Sequence, residues 1–232
     1  MQQQIFTFMG RRIELWVHPD PDHMALAIRT NRTFYELDVL MKCREVYLPG
    51  TAIIDVGANI GNHAVFFGAV PGAPVYAFEP YDANHRLLEV NIAANGLDSQ
   101  VLTACCAIGE SDGIASLQPG PPNNLGITRV SFGAGPVAVR SLDSLALTGP
   151  IGLLKVDVEG AEAAVLLGAR AMIDEWLPDI VVEAGDAGAF RVVGELLLGF
   201  GYVPHGRFAA TATYLFRATE QKRRLRRKLA AH

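Results

Sequence analysis

The stretch Thr51-Ala-Ile-Ile-Asp-Val-Gly-Ala-Asn-Ile-Gly61 constrains the fold more than any other part of the chain. Residues 52–56 form an apolar, β-branched run between Pro49-Gly50 and Gly57, the pattern of a strand buried on both faces of a parallel sheet. Beyond Gly61, Asn62-His-Ala-Val-Phe-Phe67 holds no turn residue and starts a helix. A strand, a glycine loop and a helix in succession bring backbone N–H groups close to a ligand, because residues without Cβ leave it room to approach.

Spacing within the loop discriminates between ligands. A dinucleotide fingerprint reads Gly-x-Gly-x-x-Gly; here the glycines are Gly57 and Gly61, Asn59 lies between them, and an acid, Asp55, precedes them. An anion beside the loop repels a pyrophosphate and attracts a cation, so the pattern suits S-adenosylmethionine, which carries a sulfonium and an ammonium. The bland alternative is an ordinary strand-to-helix turn. A second acid weighs against it: Pro74-Val-Tyr-Ala-Phe78 reads as the next strand and ends in Glu79-Pro80. Glu79 stands close to the roughly 20-residue interval at which an acid meets ribose hydroxyls in doubly wound folds.

A chain of 232 residues, half of them hydrophobic, can bury a full core in one large domain. A net charge of -4 provides no basic field to draw it to nucleic acid. Cys43, Cys105 and Cys106 make no Cys-x-x-Cys pair, which predicts reduced, buried thiols in a cytoplasmic protein. The first residues lack a signal-peptide pattern, and no run of about 18 apolar residues predicts a transmembrane helix.

In chain order, residues 5–17 and 25–28 read as short strands around the His18-Pro-Asp-Pro-Asp22 turn, so that residues 1–32 form a small N-terminal unit leading into a core of residues 33–217. Residues 33–43 have helical spacing with Thr33 as N-cap. Tyr35 and Glu36 at its start read either as part of a lid over a ligand or as a surface aromatic and a capping acid. Residues 81–95 form a helix in which His85 reads as structural, and residues 100–104 a third strand. After it, residues 105–109, with Ala107 at the centre, are where an adenine would be gripped by backbone groups and small side chains. The glycine- and proline-rich segment 109–136 reads either as a cover for the substrate site, with Asn124 and Arg129 as contacts, or as a surface hairpin.

Ile151-Gly-Leu-Leu-Lys-Val-Asp157-Val-Glu159-Gly160 is another apolar strand with carboxylates at its C-terminal end, where ligands bind in open α/β sheets. If the strand stays regular, Lys155, Asp157 and Glu159 share one face. Residues 161–168 read as a helix, 174–178 as a connection, 179–183 as a strand ending in Glu183, and 187–199 as a helix. Two antiparallel strands, 201–205 and 211–217, close the domain. The basic tail, residues 218–232, reads as a solvated terminus in preference to a lipid or nucleic-acid anchor.

Ile54-Asp-Val-Gly-Ala-Asn-Ile-Gly-Asn62, Phe78-Glu-Pro80, Ser141-Leu-Asp143, Leu154-Lys-Val-Asp-Val-Glu-Gly-Ala-Glu162 and Leu167-Gly-Ala169 together resemble the FkbM family of S-adenosylmethionine-dependent methyltransferases. The likeness runs in order from about Tyr35 to Glu183. It implies an α/β, Rossmann-like class I methyltransferase fold: a mostly parallel seven-stranded sheet, helices on both faces and a reversed last strand. It further implies O-methylation of a small-molecule or carbohydrate acceptor. By position, Asp55, Gly57, Asn59 and Gly61, with Asn62 beside them, would hold the methionine part of the cofactor. Glu79 would hold the ribose and Asp157 the region near the methyl.

Removing the acceptor's proton calls for a base. Asp157 is the first candidate, Glu159 and Glu183 follow, and His205 stands behind them. The same carboxylates could instead hold Mg²⁺, which is not the favoured reading. The rival functions are a silent cofactor-binding protein and a nucleic-acid methyltransferase using the basic tail.

Overall fold

The computed structural model describes residues 1–19, 21–121, 123–208 and 212–229. Asp20 of the expected turn, Pro122 of the glycine- and proline-rich segment, residues 209–211 at the expected start of the last strand, and residues 230–232 of the tail lie outside them.

The chain opens with strands β1 (Gln2–Phe8) and β2 (Arg11–Val17), turned at Met9 and Gly10, both at positive φ. Helices α1 (His23–Asn31) and α2 (Leu37–Val46) lead to β3 (Ala52–Val56). Alternation follows through α3 (Asn62–Ala69), β4 (Val75–Phe78), α4 (Asp82–Ala94) and β5 (Val101–Ala104). Next come β6 (Ala107–Ile108), β7 (Gly113–Gln118), β8 (Arg129–Phe132) and β9 (Val137–Arg140). The second half runs β10 (Ile151–Val156), α5 (Glu162–Leu167), α6 (Arg170–Trp176), β11 (Asp179–Glu183), α7 (Ala187–Gly199), β12 (Tyr202–Phe208), β13 (Thr213–Ala218) and α8 (Glu220–Leu229).

The main sheet has seven strands in the order β12-β13-β11-β10-β3-β4-β5. All neighbours from β11 to β5 are parallel, while β13, the last strand, runs antiparallel to both β11 and β12. The expected mostly parallel sheet with a reversed last strand is therefore present. Alternation along the strands divides the core: Ile53, Leu153 and Val181 face one apolar cluster with α3 and α4, and Ile54, Leu154 and Val182 face the other with α5, α6 and α7.

The first apolar cluster also receives Phe6, Ile13, Leu15 and Val17 of the hairpin. Two asparagines of α4 and its C-terminal end hold β2 in place. Asn91 accepts from Trp16 N at 2.6 Å and donates to Trp16 O at 2.9 Å, and Asn95 does the same for Glu14 at 3.1 and 2.7 Å. Asn91 Nδ2 also reaches Ile60 O at 2.7 Å, so one wholly buried amide ties the hairpin to the glycine loop. Leaving such backbone groups buried and unpaired costs about 1–3 kcal/mol each.

Several local expectations change. Residues 25–28 are helical because Asp22 accepts a hydrogen bond from Ala25 N at 2.9 Å and caps α1, whose Ala25 and Ile28 turn inward at helical spacing. Thr33 is not a cap: α2 starts after Glu36, which takes a left-handed φ of 53°. The expected connection at 174–178 is mostly helix, since α6 runs to Trp176. Asp143, far away in sequence, caps it by accepting from Ala171 N at 2.8 Å and Met172 N at 2.9 Å. The segment 109–136 is not a free surface hairpin, because β7 and β8 join β6 and β9 in a four-stranded sheet, with residues 119–128 connecting β7 to β8. Cys43 and Cys106 are buried as expected, but Cys105 is exposed. The tail is not a solvated terminus at its start: Lys222 bonds Asp174 at 2.6 Å and Phe200 O, and Arg223 donates to Ala218 O at 3.2 Å.

Candidate active site

A cavity of about 270 Å³ opens at the C-terminal ends of β3, β4, β10 and β11, close to the lower end of the usual range for cofactor sites. Gly57, Ala58 and Asn59 of the loop after β3 line it, together with Glu79 and Pro80 after β4, Asp157, Val158 and Glu159 after β10, and Glu183 at the end of β11. One wall of its mouth is His23, Met24, Tyr35 and Glu36; the other is the Asn124 to Val130 region, of which Asn124, Gly126, Ile127, Thr128 and Val130 line the cavity. His23 N donates to Asn123 O at 3.1 Å, joining the two.

Gly57 makes this closeness possible. Its φ is +80°, and a Cβ there would lie 1.7 Å from Asp157 O, so only glycine lets the loops after β3 and β10 touch. Gly61 is required for another reason, since a Cβ would strike Leu88 of α4 at 2.6 Å, and the residue does not line the cavity.

Asp55 departs from expectation. It is wholly buried beneath the loop, outside the cavity lining, 3.0 Å from Lys155 Nζ. Lys155 is itself buried and also lies 3.4 Å from Asp157 Oδ2 and 3.4 Å from Gly57 O. Burial pushes the Asp55 carboxyl up, against the pull of Lys155. Burial also disfavours the Lys155 ammonium, but Asp55 and Asp157 more than reverse this and hold it above its usual range. Asp55 thus fixes the lysine that fixes Asp157. Parallel pairing of β3 with β10 sets Asp55 opposite Lys155, and the acid stays outside the cavity lining.

Glu79 follows the last residue of β4 and lines the cavity. Asn59 N donates to its Oε2 and Tyr81 N to its Oε1, each at 2.9 Å. Burial raises its carboxyl to about 7, and these backbone bonds with Asn84 oppose the rise. Both oxygens are therefore oriented by the chain, and of the four lone pairs on the carboxylate one is left for a ligand hydroxyl once Asn84 is counted. Phe78, Cys106, Ala107 and Ile108 make an apolar flank beside it.

Lys155, Asp157 and Glu159 do not share one regular strand face: β10 ends at Val156, and Glu159 sits on a turn with φ +54°. The turn nevertheless brings Glu159 to the cavity with Asp157, Glu183 and Glu36. Burial, then Asp157, raises Glu183 to about 9. Burial, then Asp157, also raises Glu159 to about 7, with Arg129 pulling it back. Arg129 is exposed on β8 and does not line the cavity, so it acts on Glu159 only through its charge. His205 is exposed on β12 and also lies outside the lining.

Asn62 lines the cavity, and its amide accepts from Tyr35 N and donates to Tyr35 O, both at 3.0 Å. It locks Tyr35 and Glu36 over the site, where Tyr35 OH meets His23 Nε2 at 3.1 Å and burial raises the phenol to about 12. His63 was not foreseen. It is buried in the first turn of α3, lines the cavity, and has Nε2 3.5 Å from Glu36 Oε2. Burial, then Lys155, holds it well below the usual histidine range, so it is neutral. Its position directly after the glycine loop was the available signal. Among the described residues, no three His, Cys, Asp or Glu converge as metal ligands.

The parallel sheet, its reversed last strand and a ligand cleft at the strand ends define a Rossmann-like class I methyltransferase fold. The FkbM methyltransferase from Methylobacillus flagellatus KT has this fold, with a TM-score of 0.51 and 21% identity over 72% of this chain. The match takes in 43% of that solved chain, so this protein spans less than half its length. A model of the methyltransferase FkbM domain matches residues 55–217, and the chain belongs to the FkbM methyltransferase family. Similar relatives include the 31-O-demethyl-FK506 methyltransferase FkbM of Streptomyces tacrolimicus, 28% identical over 66% of this chain and 73% of its own. Methyltransferase sdnD of Sordaria araneosa is 32% identical over 63% and 71%.

Proposed function

We propose that this protein transfers a methyl group from S-adenosylmethionine to a hydroxyl oxygen of a small-molecule or carbohydrate acceptor. The observation that carries the reading is Glu79, buried at the end of β4 with both carboxylate oxygens aimed by backbone N–H groups, in the same cavity as a wall of acids. A ribose hydroxyl suits Glu79, an adenine suits the flank at Phe78, Ala107 and Ile108, and a cationic methionine end suits the acids around Asp157. The Streptomyces relative's name, a 31-O-demethyl-FK506 methyltransferase, favours an oxygen acceptor.

When bound, the cofactor supplies a methyl group already activated by its sulfonium. The chain has then to align the acceptor and take its proton. Asp157 suits that role: Lys155 holds one of its oxygens at 3.4 Å, and Glu183, raised to about 9, keeps its own proton at neutral pH and leaves Asp157 as the acceptor of the substrate's. Excluding water falls to the wall made by Tyr35, His23 and the segment around Asn124. Three free cysteines favour a reducing compartment, and we place the activity in the cytoplasm; no helix among the described residues is long and apolar enough to cross a membrane.

The test is incubation of the pure protein with methyl-labelled cofactor and a fractionated cell extract, with excess chelator in a parallel sample. Label should enter a small molecule in both. Asp157→Asn should lower kcat by roughly 10²-fold or more while cofactor affinity, read by calorimetry, stays unchanged. Wild-type turnover by that variant refutes the base assignment, and failure to bind the cofactor refutes the function.

A further inference from the structure

Asn124 lines the cavity, and its Oδ1 is buried without a hydrogen-bond partner among the described residues. An acceptor buried and unpaired is costly, so its place in the chain calls for a reason. The residue before it is already tied down: Asn123 O takes the His23 N–H at 3.1 Å, which fixes one side of this wall to the start of α1. On the other side stands the glycine loop. Asn124 Oδ1 and Asn59 Nδ2 lie 3.2 and 3.3 Å from the point that a Cβ on Gly126 would occupy. Gly126 is not among the glycines at positive φ, so what its missing side chain provides is the space between neighbours and not a special backbone. Two amides so near one point are a side-chain rotation away from a hydrogen bond. Asn59 is well placed to make it. Its φ of +51° is a left-handed conformation that asparagine tolerates, and its backbone N–H donates to Glu79 Oε2 at 2.9 Å, which leaves the side-chain amide for another partner.

We infer that Asn59 and Asn124 are positioning residues: with cofactor bound, Asn59 Nδ2 donates to Asn124 Oδ1 and clasps residues 123–128 over the site. The inference rests on the methyl-transfer reading above, because the ligand concerned is the one whose ribose meets Glu79. Asn59 then joins the two halves of the device, holding Glu79 through its backbone and the cover through its side chain. A closed cover keeps water from the reacting sulfonium, and it has to open before S-adenosylhomocysteine leaves. The clasp therefore governs how long the cofactor stays and not how the methyl group moves.

The experiment needs no acceptor. Labelled S-adenosylmethionine bound to the full chain is chased with excess unlabelled cofactor, and the dissociation rate is read. Asn124→Ala should raise that rate roughly fivefold, the value of one neutral hydrogen bond, with the association rate little changed. Asn124→Asp keeps an oxygen acceptor at the same place and should stay within about twofold of the parent. Asn59→Gly keeps the backbone N–H and suits the positive φ; it should match Asn124→Ala, and the double variant should be no faster than either single one. Thermal unfolding separates the clasp from an ordinary structural contact. Without cofactor Asn124→Ala should melt no lower than the parent, since Oδ1 has no partner to lose, while the stabilisation given by S-adenosylhomocysteine should shrink. Release by Asn124→Ala at the parent rate overturns the clasp while the methyl-transfer reading stands. So does release by Asn124→Asp as fast as by Asn124→Ala, which assigns the role to the amide's donor, and so do single effects that add in the double variant. A parent protein that binds neither S-adenosylmethionine nor S-adenosylhomocysteine removes the two readings together.

Discussion

Replacing Lys155 by methionine tests the arrangement beneath the glycine loop. The side chain is 4% exposed and faces Asp55, 0% exposed, at 3.0 Å. Methionine fills a similar volume, so the loss is chiefly the counter-charge. Asp55 then either stays ionised and unpaired or takes a proton to fold. Protonating a carboxyl of ordinary value 3.8 at pH 7 costs about 4 kcal/mol, at about 1.4 kcal/mol per unit of pH. Breaking a buried pair by removing one partner costs about 3–5 kcal/mol, in agreement. At pH 5 the same calculation leaves less than about 2 kcal/mol. The sign follows from linkage: in the variant Asp55 has a folded-state value raised further above its unfolded one, so stability is retained at low pH and lost as pH rises. Urea unfolding followed by the fluorescence of Trp16 and Trp176 at pH 5 and 7 measures both losses. Asp55→Leu in the same chain removes the stranded charge and should recover most of the stability. A Lys155→Met variant within about 1 kcal/mol of the parent at pH 7, or a loss of equal size at pH 5, refutes the reasoning.

Gly57→Ala should cost more than about 3 kcal/mol, because the new methyl meets Asp157 O at 1.7 Å and φ is +80°; thermal unfolding reads it, and a shift of a degree or two contradicts the contact. Glu79→Gln puts an amide donor against Asn59 N or Tyr81 N and should weaken cofactor binding roughly 10–100-fold by calorimetry; unchanged affinity removes Glu79 from the ribose site. Glu183, raised to about 9 from the ordinary 4.5, holds a proton in the folded state that the unfolded chain has released, so the ligand-free protein should lose stability as pH rises from about 5 to 9. The slope should flatten in Glu183→Gln, and an unchanged slope assigns the effect elsewhere.

Local chemistry made a large part of the molecule legible from residues alone. The β3, loop and α3 unit follows from an apolar run stopped by Gly57, and β4 follows from a run stopped by Pro80. The acids Glu79, Asp157, Glu159 and Glu183 belong to the cavity because strand C-termini in a parallel sheet share one edge. Tertiary structure decided the assignments that depend on partners distant in sequence. Asp55 reads as a ligand contact until the register of β3 against β10 sets Lys155 opposite it, at the cavity, and leaves the acid buried beneath. Asn62 reads only as a cofactor contact until the fold shows it also holding the backbone of Tyr35. Helix α6 is capped by Asp143 and the hairpin is held by Asn91, contacts that no window of neighbouring residues contains. His63 becomes part of the site only when Glu36 is folded over it. Burial and charge pairing act through space, so the sequence determined which groups were available, and the sheet register and helix packing determined which of them face a ligand and which face each other.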